Sequence, residues 1–136
     1  MKRYLVVLSV AAAALVAVGG ARAYAHHSFA ATYHEDQTVT IQGELVQFLF
    51  RNPHSFVHVN VTEKDGTVRR YAVEWGGAGQ LGGQGVNQQT LKVGDKVVIT
   101  GSPGRGYPKE ARVRMVTLSR PADGFDWGRR PGQTVD

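Results

Sequence analysis

The sequence predicts an all-β protein built as a small, closed barrel of five strands. Five short runs rich in β-branched and aromatic residues follow one another closely, separated by Gly, Pro or Asp-Gly turn signals. The chain has no cysteine, so no disulfide can support the fold, and closing the sheet removes edges that would otherwise be exposed. The five runs lie within residues 39–50, 55–62, 67–75, 91–101 and 111–119.

The second run, SFVHVNVT, gives the clearest strand signal, because its valines alternate with other residues. One face should carry Val57, Val59 and Val61. The Asp65-Gly66 pair that follows favours a tight hairpin turn. Residues whose numbers sum to about 131 should then face each other across the hairpin. In the first run, Gly43 predicts a bulge or sharp bend.

Glycine accounts for six of the ten residues from 76 to 85. Such a stretch disfavours both a strand and a helix, so we expect a loop, with at most one short helical turn around residues 87–91. The glycines do not follow a phosphate-binding pattern.

The first 25 residues resemble a secretory signal. Lys2 and Arg3 form a positive start, residues 4–18 are apolar, and Ala23 and Ala25 have the spacing of a cleavage site. We therefore expect cleavage after Ala25, a periplasmic location and no membrane attachment afterwards. A cut after Ala23 and an uncleaved anchor are the alternatives.

Cleavage divides the chain into a signal peptide (1–25), one barrel domain (26–119) and a tail (120–136) whose composition predicts disorder. It also changes the charge. The precursor has 16 Lys and Arg against 11 Asp and Glu, and three of the basic residues lie in the signal. The remaining 13 are scattered rather than clustered, so we expect no nucleic-acid partner.

Four motifs in this order resemble a family of small exported bacterial proteins, DUF6152. They are AHHSFAATY, NPHSFVHVNV, YAVEW and LKVGDKVVITG, and the resemblance covers roughly residues 26 to 118. It implies an OB-like barrel with an N-terminal arm, and no established function. It also implies a His-His-Ser-Phe start at His26, an Asn-Pro-His at 52–54 and a glutamate, Glu74, that closes the third strand. His34 and Val86 depart from the family pattern.

The histidines suggest a metal site, for which we name His26, His27, His54 and Glu74 as the candidate ligands. A chain that begins with histidine can chelate copper through its α-amine and its own Nδ1, while a further imidazole adds a third nitrogen. Alternatively, the amine, an amide and the imidazole of His27 can bind copper. Hairpin geometry should bring Glu74 near His54. His58, four residues along the strand, lies about 13 Å away, too far to share the ion.

The sequence therefore predicts an exported metal-binding module that prefers copper, with a metal ion or a small polar ligand as its partner. The alternative is a non-metal module that binds a ligand or a protein, in which Phe56 and Trp75 would contribute to a groove. In a structural interpretation, the histidines are a frayed start, and Phe29 and Tyr33 attach the arm to the barrel. The sequence does not decide whether the protein is an enzyme, although it favours none: it has no nucleophile motif or suitable carboxylate pair, but a terminal copper chelate can carry out oxidative chemistry.

Overall fold

The computed structural model describes residues 29–128, which fall into two units. Residues 29–32 are helical and belong to the first unit, Met1–Thr32. As far as residue 128, the second unit, which starts at Tyr33, contains one short helix, α1 (Ala78–Gly82), and six strands. The strands are β1 (Val39–Leu49), β2 (Phe56–Thr62), β3 (Val68–Glu74), β4 (Lys96–Pro103), β5 (Arg112–Arg120) and β6 (Phe125–Trp127). Within residues 29–128, no helix has the length and hydropathy needed to cross a bilayer.

The first five strands close into a barrel in the order β3-β2-β1-β4-β5. Neighbouring strands are antiparallel, and a short parallel pairing of β3 with β5 closes the ring. A five-stranded barrel with this arrangement is OB-like, which confirms the predicted fold class.

Alternation along β2 builds the core as predicted. Val57 and Val59 are fully buried and Val61 nearly so, whereas Phe56 and His58 on the other face are half-buried. Cross-strand pairing places Val57 opposite the equally buried Val73. Other strands contribute side chains of the same kind, including Leu45, Ile99, Val113 and Leu118.

The hairpin between β2 and β3 differs from the expected register by one residue. Phe56 pairs with Glu74 and Thr62 with Val68, so that paired numbers sum to 130. The backbone N–H of Glu63 donates to the Thr67 carbonyl at 2.8 Å, leaving a three-residue loop at positions 64–66. Gly66 takes a positive φ of 85°, as the last residue of such a loop requires.

The short helix lies earlier than expected. α1 falls inside the glycine-rich stretch, because Leu81 is fully buried in the core and fixes the chain around it. The side chain of Asn52 also supports α1, since its Oδ1 accepts from the Gly79 N–H at 3.1 Å. Residues 87–90 form only a turn, held by Thr90 Oγ1 and the Asn87 N–H at 2.8 Å.

A sixth strand occupies part of the segment that composition assigned to a tail. β6 pairs with the end of β5, and the Trp127 ring packs edge-on against Trp75 with centroids 5.0 Å apart. The Arg120 guanidinium bonds Asp95 at 2.6 Å and Asp123 at 2.8 Å, which ties this end of β5 to two loops. The rest of the predicted tail, residues 129–136, lies outside the described residues.

Gly43 permits a close approach of two strands, and the predicted bulge does not lie at this residue. A Cβ added at Gly43 would collide with the carbonyl oxygen of Asn60 on β2. The irregularity in the β1–β2 register instead lies between Leu45 and Gln47. Glycine is thus required at position 43 by space.

We expect Gly43→Ala to lower the free energy of unfolding by about 1–3 kcal/mol, because the backbone of β2 must move. Gly82→Ala is the matched control, since Gly82 lies in α1 and its added Cβ would meet nothing within 4 Å. The control should be neutral or slightly stabilising. Urea unfolding followed by tryptophan fluorescence measures both, and equal midpoints would contradict the close-approach explanation.

Candidate functional site

A cluster of polar side chains lies where β2 begins and β3 ends. The ladder continues past Phe56, because the Ser55 N–H donates to the Gly76 carbonyl at 3.0 Å and the Trp75 N–H donates to the Ser55 carbonyl at 2.8 Å. This extension fixes the backbone on both sides of the cluster. His54 Nδ1 consequently lies 3.3 Å from Glu74 Oε1.

Glu74 is the centre of the cluster, and only 7% of the residue is exposed. Its Oε2 accepts a short hydrogen bond from the Tyr33 hydroxyl and lies 3.4 Å from Arg112 Nη2. Its Oε1 faces His54. A buried carboxylate is costly unless it is paired and hydrogen-bonded, and here both oxygens have partners.

Tyr33 anchors the start of the second unit to this carboxylate. The residue is 1% exposed, and its backbone forms an isolated bridge with Gly104. Arg112 Nε donates to the Tyr33 hydroxyl oxygen at 3.0 Å, and the guanidinium lies 5.6 Å from the centre of the ring. Burial, followed by the hydrogen bond to Glu74, raises the pKa of Tyr33 to about 12. The phenol therefore keeps its proton at neutral pH and donates it to the carboxylate.

The two remaining histidines of the described region lie outside the cluster. Burial and the nearby Arg70 and Arg51 lower the pKa of His58, which projects from the outer face of β2. His34 is half-buried, and its backbone N–H donates to the Pro103 carbonyl at 2.9 Å.

The candidate ligands fall into two groups. The structure brings His54 and Glu74 together, in the neighbourhood that hairpin geometry predicts. His26 and His27 lie outside the described residues, so their role stays a prediction. Among residues 29–128, no group of three or more His, Cys, Asp or Glu side chains is arranged to hold a metal ion.

Two residues of the cluster were not predicted to share it. Tyr33 was expected only to attach the arm, and Arg112 was not singled out. No local motif joins them, because Arg112 reaches the site through the parallel pairing of β3 with β5. Trp75, a candidate for a ligand groove, is 3% exposed and packs inside the protein. Its Nε1 has no hydrogen-bond partner within the described part of the chain.

Comparison with known proteins identifies a family. A model of a family of unknown function, DUF6152, matches residues 12–111, in agreement with the resemblance of the motifs. No curated protein matches the chain. Among solved structures, a crystal form of the mitochondrial single-stranded DNA binding protein Rim1 from S. cerevisiae is 10% identical with a TM-score of 0.47. The match covers 62% of this chain and 92% of that one.

A selenomethionine-labelled crystal of the same yeast protein gives 11% identity and a TM-score of 0.42 over the same shares of the two chains. Binding to single-stranded DNA is stated of that protein. For the present chain, the absence of a nucleic-acid partner stays a prediction.

We expect Tyr33→Phe to lower the free energy of unfolding at pH 7 by about 1.5–3 kcal/mol, because a buried carboxylate loses a hydrogen bond. Tyr71→Phe is the matched control. The Tyr71 hydroxyl donates to Glu63 Oε1 at 2.8 Å, but Glu63 is half-exposed and can bind water instead. The control should therefore lose less, and equal losses would contradict the central role of Glu74.

The pH dependence of the free energy of unfolding gives a second test of the hydrogen bond from Tyr33 to Glu74. Because the pKa of Tyr33 is raised in the folded state, its stabilisation is complete below its ordinary pKa of about 10 and declines as the pH rises toward 12. The difference in stability between wild type and Tyr33→Phe should thus shrink over that interval. A constant difference would contradict the assignment of the proton to the phenol.

Proposed function

The chain belongs to the DUF6152 family, whose function is not established, and we propose that it is an exported, periplasmic metal-binding module that prefers copper. The proposed ligands are the N-terminal histidines His26 and His27 together with His54 of the barrel. The observation that carries the proposal is the contact of 3.3 Å between His54 Nδ1 and Glu74 Oε1.

The His54–Glu74 contact resembles the hydrogen bond that many metal-binding histidines make to a carboxylate. A ligating imidazole commonly donates its second ring N–H to a carboxylate, which fixes the tautomer, orients the ring and makes the ligand more basic. Here Glu74 would hold the proton on Nδ1 of His54, so that Nε2 is the nitrogen offered to the metal. The side chain of His54 is 40% exposed, which gives an ion a route from solvent.

Glu74 takes the orienting role in this proposal. The Arg112 guanidinium and the Tyr33 hydroxyl already bond its Oε2, and a metal cation beside that guanidinium would be repelled. The carboxylate therefore acts on the metal through His54.

Copper is the preferred ion because the proposed donors are nitrogens. A free terminal amine and imidazole nitrogens suit copper, and the chain has no thiolate to favour a softer site. The amine has an ordinary pKa of about 8, so that binding at neutral pH releases protons. The barrel supplies only part of the donor set, which is why the proposal depends on the amine or imidazoles of His26 and His27.

The first test concerns the terminus. The mass of the exported protein should correspond to a first residue of His26, and that protein should bind one copper(II) with the visible and electron spin resonance spectra of a nitrogen-rich site. A matched protein whose N-terminal amine is acetylated should bind at least tenfold more weakly, because the terminal chelate requires the free amine. Equal affinity of the two proteins would rule out the terminal chelate.

The second test concerns the barrel. His54→Ala should weaken copper binding, and Glu74→Gln should weaken it about 10–100-fold, as for other carboxylates that orient a ligating histidine. His58→Ala is the control, since a residue four positions along the strand lies about 13 Å away. Unfolding curves verify that each variant folds. If His54→Ala binds copper as tightly as His58→Ala, the barrel contributes no ligand.

A further inference from the structure

The outer face of β2 carries a second group of side chains that the metal proposal does not use. We call this group the arginine face and define it by Arg51, Phe56, His58 and Arg70. Phe56 and His58 project outward from β2, Arg51 follows β1, and Arg70 lies on β3. Three neighbouring segments thus contribute to one surface.

The two arginines are held in defined positions. The guanidinium carbon of Arg51 lies 5.5 Å from the centre of the Phe56 ring, a stacked arrangement in which the cation covers the aromatic face. Arg70 Nη2 donates to Gln47 Oε1 at 3.0 Å, and Gln47 pairs directly with His58 across β1 and β2. Both cations are therefore placed close to His58.

The charge of this face is not balanced by carboxylates. The acidic residues of β1, β2 and β3 are Glu44 and Glu74, and each is ion-paired elsewhere, Glu44 with Lys96 and Glu74 with Arg112. Within residues 29–128, neither Arg51 nor Arg70 lies within 4 Å of a carboxylate oxygen. After burial, these two arginines are the causes that lower the pKa of His58, because their positive charges disfavour a protonated imidazole.

The residue opposite His58 on β3 is Ala72, whose side chain is small. A flat group can lie along the exposed side of the Arg51 guanidinium, since guanidinium planes stack on rings as well as donating hydrogen bonds.

We propose that the arginine face binds a planar organic anion, an aromatic ring that bears a phosphate or carboxylate group. The ring stacks on the Arg51 guanidinium and extends the stack that Phe56 begins. Arg70 and His58 donate to the anionic oxygens. The combination matters: two guanidinium groups alone would suit any anion, whereas the stacked Phe56–Arg51 pair adds a preference for a flat ring. This site goes beyond the proposed copper site and uses none of its ligands.

The test compares whole ligands, which combine an aromatic ring with an anionic group, with half ligands, which carry only one of the two. Adenosine 5′-monophosphate and indole-3-carboxylate each combine a ring with an anion, whereas inorganic phosphate has only the charge and adenosine only the ring. By calorimetry, at least one whole ligand should bind ten times more tightly than either half. The better of the two tells whether the physiological anion is a phosphate or a carboxylate. Whole ligands that bind no better than the halves would overturn the proposal.

Variants locate the site. Arg51→Gln and Arg70→Gln should each weaken binding of the whole ligand by a factor of ten or more. Arg69→Gln is the matched control, because it removes the same charge from the residue of β3 directly before Arg70. The side chain of Arg69 donates to the Lys109 carbonyl. Equal effects of all three variants would show only general charge attraction and would contradict the site.

The pKa of His58, measured by NMR, should change on ligand binding only if the ligand binds at the arginine face. Binding should raise the pKa of His58, because a bound anion offsets the repulsion from Arg51 and Arg70. The NMR signals of His34, which lies outside the arginine face, should not change when the ligand binds. A His58 signal that is unaffected by saturating ligand would place the ligand elsewhere.

Discussion

The buried carboxylate of Glu74 is the constraint on which this end of the molecule depends. An ionised carboxylate inside a protein is tolerated only when its oxygens are bonded, so its neighbours must hold their positions. Tyr33, Arg112 and His54 come from three distant parts of the chain and meet only at this group. Loss of any one of them leaves the remaining partners to satisfy the same buried charge.

Closure of the barrel brings these partners together. β3 and β5 pair in parallel over three residue pairs, and Glu74 and Arg112 lie at opposite ends of that short ladder. The ion pair therefore reinforces the junction where the ring has its fewest backbone bonds. Because the chain lacks cysteine, the junction relies on this polar contact and on the buried side chains beneath it, such as Val73 and Val113.

Sequence periodicity was sufficient to predict the barrel but not the full cluster of residues around Glu74. Alternation along β2 is a local signal, and it placed Val57 and Val59 in the core. The position of α1 depends on the burial of Leu81 in the core, and the existence of β6 depends on the packing of Trp127 on Trp75. These contacts join residues far apart in the chain, and they outweigh a local composition that disfavours regular structure. His54 and Glu74 could be paired because one tight hairpin connects them.

The environments of two histidines, His54 just before β2 and His58 on β2, show how the barrel separates charged side chains. His54 precedes β2 and faces the carboxylate of Glu74, which favours a cation beside the ring. His58, four residues later, has Arg51 and Arg70 as neighbours, which disfavour a cation and favour an anion. The charged side chains nearest the two histidines thus differ in sign within four residues of the chain. A metal ion at His54 and an anion at the arginine face would bind beside side chains of opposite charge, so neither ligand competes for the other's position.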